Sequence, residues 1–335
     1  MPEGKIIYVP LEHIDGRYTV HMDRDIEHYF KQHNMDYVKV CPGESVSPPP
    51  PAGMFLNAPF TSKFKALQLA QIARMYETGD ITSNDRFFFS DIWFPGIESI
   101  AYMNYFSKVT PKITGIIHAG SFTDTDFVRD MERWAKNFED IIFDIADTVF
   151  CASEFIKQDI LKKRIVDERK LVVSGLPVDF SGLDNHKGLE KEDIIIFNGR
   201  ICDEKQPWLF KELEREVRKR VGYRLPKLEF IRTQDKNLSK DDYYNLLGRS
   251  KAVVSYALQE NFGFGIAEAA YLGCTPVLPN RLVYPELYPA SNLFKQFDQS
   301  VDLVVNALLP TAEHKSLVIG DPIKTLNTWF NPQGN

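Results

Sequence analysis

Short apolar runs alternate with amphipathic segments along nearly the whole chain. KIIYVPL, YVKVC, RFFFSDIWF, ITGIIHA, TVFCAS and LVVSG read as strands in the first half, and IIIFNG, LEFIRT, AVVSYAL and TPVLP in the second. Between many of them lie helical patterns, among them ALQLAQIARMYETG, DFVRDMERWAKNFEDII, EFIKQDILKKR, WLFKELEREVRKRV and YYNLLGRS. A helix between two strands carries the chain back to the end where the first strand began, so the strands pair in parallel. The runs are continuously apolar rather than alternating, as strands must be when helices cover both faces of a sheet. The expected class is α/β with parallel sheets.

The 335 residues are enough for about two domains. The pattern breaks at Ser174-Gly175-Leu176-Pro177-Val178-Asp179 and stays polar through Glu192, and a new strand starts at Asp193. This divides the chain into an N-terminal domain, 1–174, and a C-terminal domain, 175–335. The last helix, in DPIKTLNTWFNPQGN, is free to return to the first domain. The run from Pro48 to Pro51 reads as a surface connection in polyproline II geometry.

Composition excludes several classes. No stretch approaches the roughly 18 apolar residues of a membrane span, so none is expected. MPEGKIIYVPLEHIDG lacks a charged segment followed by an apolar one; no secretory leader and a cytoplasmic location are expected. Cys41, Cys151, Cys202 and Cys274 form no C-x-x-C pair and read as reduced thiols. A net charge of -6 argues against non-specific coating of nucleic acid. Two basic clusters, Lys162 to Arg164 and Arg215 to Arg220, fall in helical patterns, where a solvated face is the default.

The richest stretch is QENFGFGIAEAAYLG, Gln259 to Gly273. AVVSYAL reads as a buried strand ending near Leu258. A helix then runs through Ile266, Ala267, Ala269 and Ala270 and is closed by Gly273. Glu260 therefore follows a strand's carboxyl end, and Glu268 lies about one turn into the next helix. Ligands of open α/β sheets sit at that end of the strands. The glycine-bearing loop brings backbone N–H groups to a helix start, where anions bind. A second strand, Ile194 to Phe197, ends in Asn198-Gly199-Arg200, and Lys205 follows at a helix start. Arg200 and Lys205 suit a diphosphate. Each has a plainer reading: Glu268 as a solvated helix residue, and Arg200 paired with Asp203 or Glu204.

Together these elements resemble the GT-B-fold retaining glycosyltransferases that carry an E-x7-E motif. Glu260-Asn-Phe-Gly-Phe-Gly-Ile-Ala-Glu268 has that spacing. Asn198-Gly199-Arg200 through Lys205 is similar to the family's Gly-Arg-x4-Lys element. DDYYNLLGRSKAVVSYAL and TPVLPN, followed by Pro285-Glu286-Leu287, resemble the flanking elements. The resemblance covers about 172–306. It implies two Rossmann-like domains facing across a cleft, with no cofactor or metal and a nucleotide-sugar, a UDP-sugar, as donor. It further implies that Glu260 holds the sugar, Glu268 the ribose, and Arg200 and Lys205 the diphosphate. Gly199, Phe262, Gly263 and Phe264 then line the donor site. The turn Arg232-Thr233-Gln234-Asp235 lacks the family's glycines, which leaves contacts to the base open.

In the first half, His118 ends the strand ITGIIHAGS. It reads either as a catalytic group near the donor sugar, as the resemblance implies, or as a satisfied buried histidine. Asp91 follows a strand and reads as an acceptor-side group or, more simply, as a helix cap. Gly16 and Arg17 follow the first strand, where the fold would line its cleft. Asp124-Thr-Asp126 offers too few ligands for a metal; Thr123-x-x-Asp126 reads as a capping box. YVPLEHIDGRYT is faintly similar to openings of virus-encoded glycosyltransferases that modify hydroxymethylated pyrimidines in DNA. That similarity implies DNA as acceptor and a basic face drawn from Lys63, Lys65, Arg74, Lys108, Lys112 and Lys162 to Arg164. A glycan, lipid or small-molecule acceptor, a sugar-nucleotide epimerase, and a binding module without turnover remain the alternatives.

Overall fold

A computed structural model of the chain describes residues 4–14, 17–43, 46–48, 56–126 and 128–331. Gly16, and all of the proline run except Pro48, lie outside them. The chain divides into two compact units, Met1–Pro177 with Pro322–Asn335, and Val178–Asp321.

The first unit alternates β1 (Ile6–Val9), α1 (Tyr18–Gln32), β2 (Tyr37–Lys39), α2 (Ala58–Glu77), β3 (Arg86–Phe89), α3 (Ile97–Ser107), β4 (Lys112–Ile117), α4 (Glu132–Ile145), β5 (Thr148–Cys151), α5 (Glu154–Lys163) and β6 (Leu171–Val173). Its six strands are ordered β2-β1-β3-β4-β5-β6, all in parallel pairs. The apolar runs seen in the sequence are the buried strands: Ile7, Tyr8, Phe87, Phe88 and Ile116 are wholly enclosed. Caps set the helix starts. Asn57 accepts from the Phe60 amide ahead of α2, and Ser153 from the Ile156 amide ahead of α5.

The second unit repeats the scheme with β7 (Glu192–Phe197), α6 (Pro207–Val221), β8 (Glu229–Arg232), α7 (Lys240–Arg249), β9 (Ser250–Val254), α8 (Phe264–Tyr271), β10 (Thr275–Pro279), α9 (Tyr284–Leu287), β11 (Leu293–Phe294) and α10 (Phe297–Ala307). The order is β11-β10-β9-β7-β8, again parallel. Ile195, Leu213, Val217, Ala252, Val277 and Val304 anchor the core beneath α6 and α10.

The last helix, α11 (Pro322–Phe330), belongs to the first unit. Trp329 is fully buried and donates to Ser174 Oγ at 2.8 Å. Its ring lies 5.5 Å from that of Phe88, and Phe330 lies 4.7 Å from Phe30. Among the described residues no helix is long and apolar enough to cross a membrane.

In both sheets the first strand of the unit separates the second from the third. Connections leave in opposite directions there, so the loops at the carboxyl ends part and open a crevice. In the first unit that point is between β1 and β3; in the second it is between β7 and β9.

Candidate active site

The second unit's crevice is a pocket of about 70 Å³ between the ends of β7 and β9. Asn198, Gly199, Lys205, Glu260, Gly263 and Phe264 line it, joined by Ser255 and Tyr284 deeper in. β9 ends at Val254, four residues before the expected Leu258; the residues from Ser255 to Gly263 form the connecting loop instead.

Two glycines shape the passage from that loop into α8. Gly263, the residue ahead of α8, has φ +82°, a left-handed conformation that disfavours any side chain. At Gly265 a Cβ would come within 2.9 Å of the Asn198 side-chain nitrogen. That nitrogen donates to the Gly265 carbonyl at 2.6 Å and lies 3.3 Å from the Tyr243 hydroxyl. Asn198 thus ties the end of β7 to the first turn of α8. Phe264, Gly265 and Ile266 of that turn line the pocket.

Lys205 is buried, and its ammonium donates to the Gln259 carbonyl and to Glu260 Oε2, the latter at 3.2 Å. One cation and one carboxylate are therefore already joined on the pocket floor. Arg200 is half exposed and ion-paired with Glu204, the plainer reading of the sequence. Phe262 is buried, its ring 4.8 Å from that of Phe264. Glu268 lies below the helix start, half-buried. The hydroxyls of Tyr243 and Tyr244 stand 3.3 and 3.4 Å from its two oxygens. Burial pushes its carboxyl up to about 7, and the two tyrosine hydroxyls offset part of that rise.

Sequence reasoning did not single out Tyr243, Tyr244 or the Asn198 side chain. A signal existed for Tyr243: it precedes the buried Leu246 and Leu247 by three and four positions, so it shares their inward face.

In the first unit His118 follows β4. Its Nε2 lies 2.7 Å from the Ser90 carbonyl and its Nδ1 2.8 Å from the Tyr18 hydroxyl. A carbonyl only accepts, so Nε2 carries the hydrogen and Nδ1 of the neutral ring accepts from Tyr18. Both nitrogens are engaged within the unit, and Tyr18, at the start of α1, joins the candidates. Arg17 is the residue ahead of α1. Asp91 accepts from the Trp93 amide at 3.1 Å. It does not cap the next helix, because α3 starts later, behind Gly96.

Two further expectations change. Thr123-x-x-Asp126 is not a capping box for α4, which begins at Glu132. Asp126 accepts from the Val128 amide at 3.1 Å, and Asp124 pairs with Lys163 at 2.7 Å. The basic face loses members as well. Arg164 is buried against the fully buried Glu139 at 2.7 Å, and Lys65 is buried with its ammonium on the Trp93 carbonyl. On α6, Arg215, Arg218, Lys219 and Arg220 pair with neighbouring acids, a solvated face as expected.

Two parallel-sheet units of this design recur in solved glycosyltransferases. The fold is theirs. A lipopolysaccharide outer core galactosyltransferase, WaaB, is similar with TM-score 0.59 and 14% identity, over 91% of this chain and 90% of that one. Sucrose-phosphate synthase from Thermosynechococcus elongatus gives 0.60 at 10% identity, over 98% and 95%. Anabaena HepE, solved with UDP and glucose, gives 0.56 at 12%, over 93% and 92%. At such identities the likeness is one of fold. A tRNA-queuosine alpha-mannosyltransferase of Drosophila melanogaster is 35% identical over 98 residues, 29% of this chain. The match spans 24% of that relative's length. No protein-family model matches the chain.

Proposed function

We propose that the chain is a retaining glycosyltransferase that moves a sugar from a UDP-sugar to a hydroxyl on a modified nucleic-acid base. The observation that carries this reading is the pocket at the β7–β9 switch point. There a buried lysine, a carboxylate and a helix start converge on about 70 Å³. That set matches a diphosphate joined to a polyol: N–H groups and cations for the phosphates, a carboxylate for hydroxyls.

In this reading the diphosphate lies at the start of α8 and takes part of Lys205's charge, with Arg200 turning from Glu204 to join it. Glu260, eased from Lys205, accepts from sugar hydroxyls, and Glu268 accepts from the ribose. As the glycosidic bond breaks, positive charge builds on the sugar and negative charge on the leaving phosphate. Cations fixed at that phosphate lower the barrier. Attack from the leaving group's own face retains the anomeric configuration, and the leaving phosphate oxygen takes the acceptor's proton. No protein nucleophile and no metal is required. On the acceptor side the reading takes His118, with Tyr18 bonded to it, and Arg17 and Asp91.

The base as acceptor is supported by the Drosophila relative, whose name specifies sugar transfer to queuosine in tRNA. It is also supported by the opening YVPLEHIDGRYT, which points to a hydroxymethylated pyrimidine in DNA and to a viral origin. DNA is the first acceptor to test and tRNA the second.

A thermal-shift series with UDP, GDP, ADP and CMP tests the donor. UDP at 100 times its Kd adds about 2.7 kcal/mol to a folded state that alone binds it. That gain disappears in Lys205→Ala and shrinks in Arg200→Ala. Turnover with the matching UDP-sugar proceeds in EDTA, gives product of unchanged anomeric configuration by NMR, and requires hydroxymethylated rather than plain DNA. If no nucleotide stabilises the protein at millimolar concentration, the pocket is not a donor site.

A further inference from the structure

The second unit holds another concavity, of about 270 Å³, at the ends of β10 and β11. Its floor is apolar, from Leu209, Phe294 and Phe297, with the Tyr256 ring 5.5 Å from Phe294. Its rim carries Asn280, Arg281 and Lys295, and no carboxylate lines it. Arg281 donates to the carbonyls of Ala257 at 2.9 Å and Tyr256 at 2.8 Å. Those partners fix the guanidinium without cancelling its charge. α10 begins at Phe297 on the same rim and adds its partial positive charge.

The backbone around this rim turns left-handed at two points: Gln206, which closes the short 3-10 turn Asp203–Lys205, and Leu282, which closes no helix. Gln206 and Leu282 have φ of 49° and 59°, left-handed values for residues with side chains. Asn34 and Lys108, also left-handed, sit at the ends of α1 and α3, where helices commonly close that way. Gln206 lines the pocket, and Leu282 follows Arg281. The left-handed Leu282 costs backbone energy directly beside Arg281 on the rim.

We infer that this concavity binds one nucleotide unit of the acceptor strand, its base on the apolar floor and its phosphate between Arg281 and Lys295. At about 270 Å³ the concavity has room for a single ring with its charged group. Gln206 directly follows Lys205, which places the two pockets side by side in one unit. The inference rests on the nucleic-acid acceptor proposed above.

The test uses the full chain with UDP at saturation, so that the donor pocket is filled. A fluorescein-labelled 12-residue oligodeoxythymidine is titrated by anisotropy, and unlabelled dTMP by calorimetry. Lys295→Glu reverses a rim charge and Asn280→Glu adds a negative one, both at exposed positions. The expected result is a tenfold or greater loss of oligonucleotide affinity in both, with UDP affinity unchanged. Lys295→Gln lowers the salt slope by about 1, the signature of one phosphate contact. If the variants lose dTMP but keep the oligonucleotide, the pocket takes a free nucleotide and the strand assignment is overturned. If neither probe responds to either variant, the site itself is refuted. Failure of the donor reading shows separately, as absence of UDP binding by the unaltered protein.

Discussion

Glu268 gives the sharpest quantitative test. Its carboxyl is raised from 4.5 to about 7, chiefly by burial. In the unfolded chain it titrates near the ordinary value, so between pH 4.5 and 7 the native state holds a proton that the unfolded state has released. Stability from the neutral carboxyl is therefore complete below pH 4.5 and is lost as pH rises through 7. A shift of 2.5 units at 1.36 kcal/mol each is about 3 kcal/mol. Glu268→Gln keeps the shape, accepts from one of Tyr243 and Tyr244 through its amide oxygen while its amide nitrogen donates to the other, and does not titrate. The stability of the native protein minus that of the variant should fall by about 2–3 kcal/mol between pH 5 and pH 8, read as urea midpoints of the second unit's transition. Differencing against the variant removes every other titrating group. A difference that is flat across this range, or that grows with pH, would refute a buried, proton-holding Glu268.

Trp329→Ala should cost the first unit about 3–5 kcal/mol, because it empties the volume of the largest fully buried side chain; calorimetry of the first unit's transition measures it. Gly263→Ala should destabilise the second unit by about 1–2 kcal/mol through the left-handed backbone alone, and should weaken UDP binding in the same preparation. Glu139→Gln leaves the buried Arg164 with only the more distant, half-exposed Glu132 at 3.9 Å as counter-charge and should cost about 3 kcal/mol by denaturant unfolding, whereas a charge change at the exposed Lys162 should cost almost nothing.

The order of strands and helices was legible because it is written in local patterns: an apolar run five residues long between polar caps has few other uses. β11 was not, since two residues paired to Leu278 and Pro279 carry no periodicity. The start of α4 is displaced from the sequence reading because Thr123 and Asp126 have capping chemistry, yet they close a turn that ends six residues ahead of α4. The site separates along the same line. Glu260, Lys205 and Gly263 announced themselves by residue type and spacing. Tyr243 and the pocket-lining Asn198 stand 45 residues apart in sequence, and only the folded chain brings them within 3.3 Å. Basic residues misled most, because Arg164 and a solvated arginine look alike until the buried Glu139 is found beside one of them.

The ion pair on the pocket floor has a consequence for specificity. Lys205 and Glu260 satisfy one another without ligand, so neither is an unpaired buried charge waiting for a substrate. A free phosphate that drew Lys205 away would leave Glu260 without its partner at a half-buried site, and that cost would come off its affinity. On the proposed reading a UDP-sugar avoids it, because the same molecule that takes the ammonium also presents hydroxyls to the carboxylate. The pair then works as a test for both halves of the donor at once. UDP-sugar should bind more tightly than UDP, and Glu260→Gln, which frees Lys205, should strengthen UDP while weakening the UDP-sugar relative to it. Calorimetric titration of both ligands against both proteins reads the four affinities. A Glu260→Gln variant that weakens UDP would show that the carboxylate supports the lysine's hold on phosphate rather than competing with it.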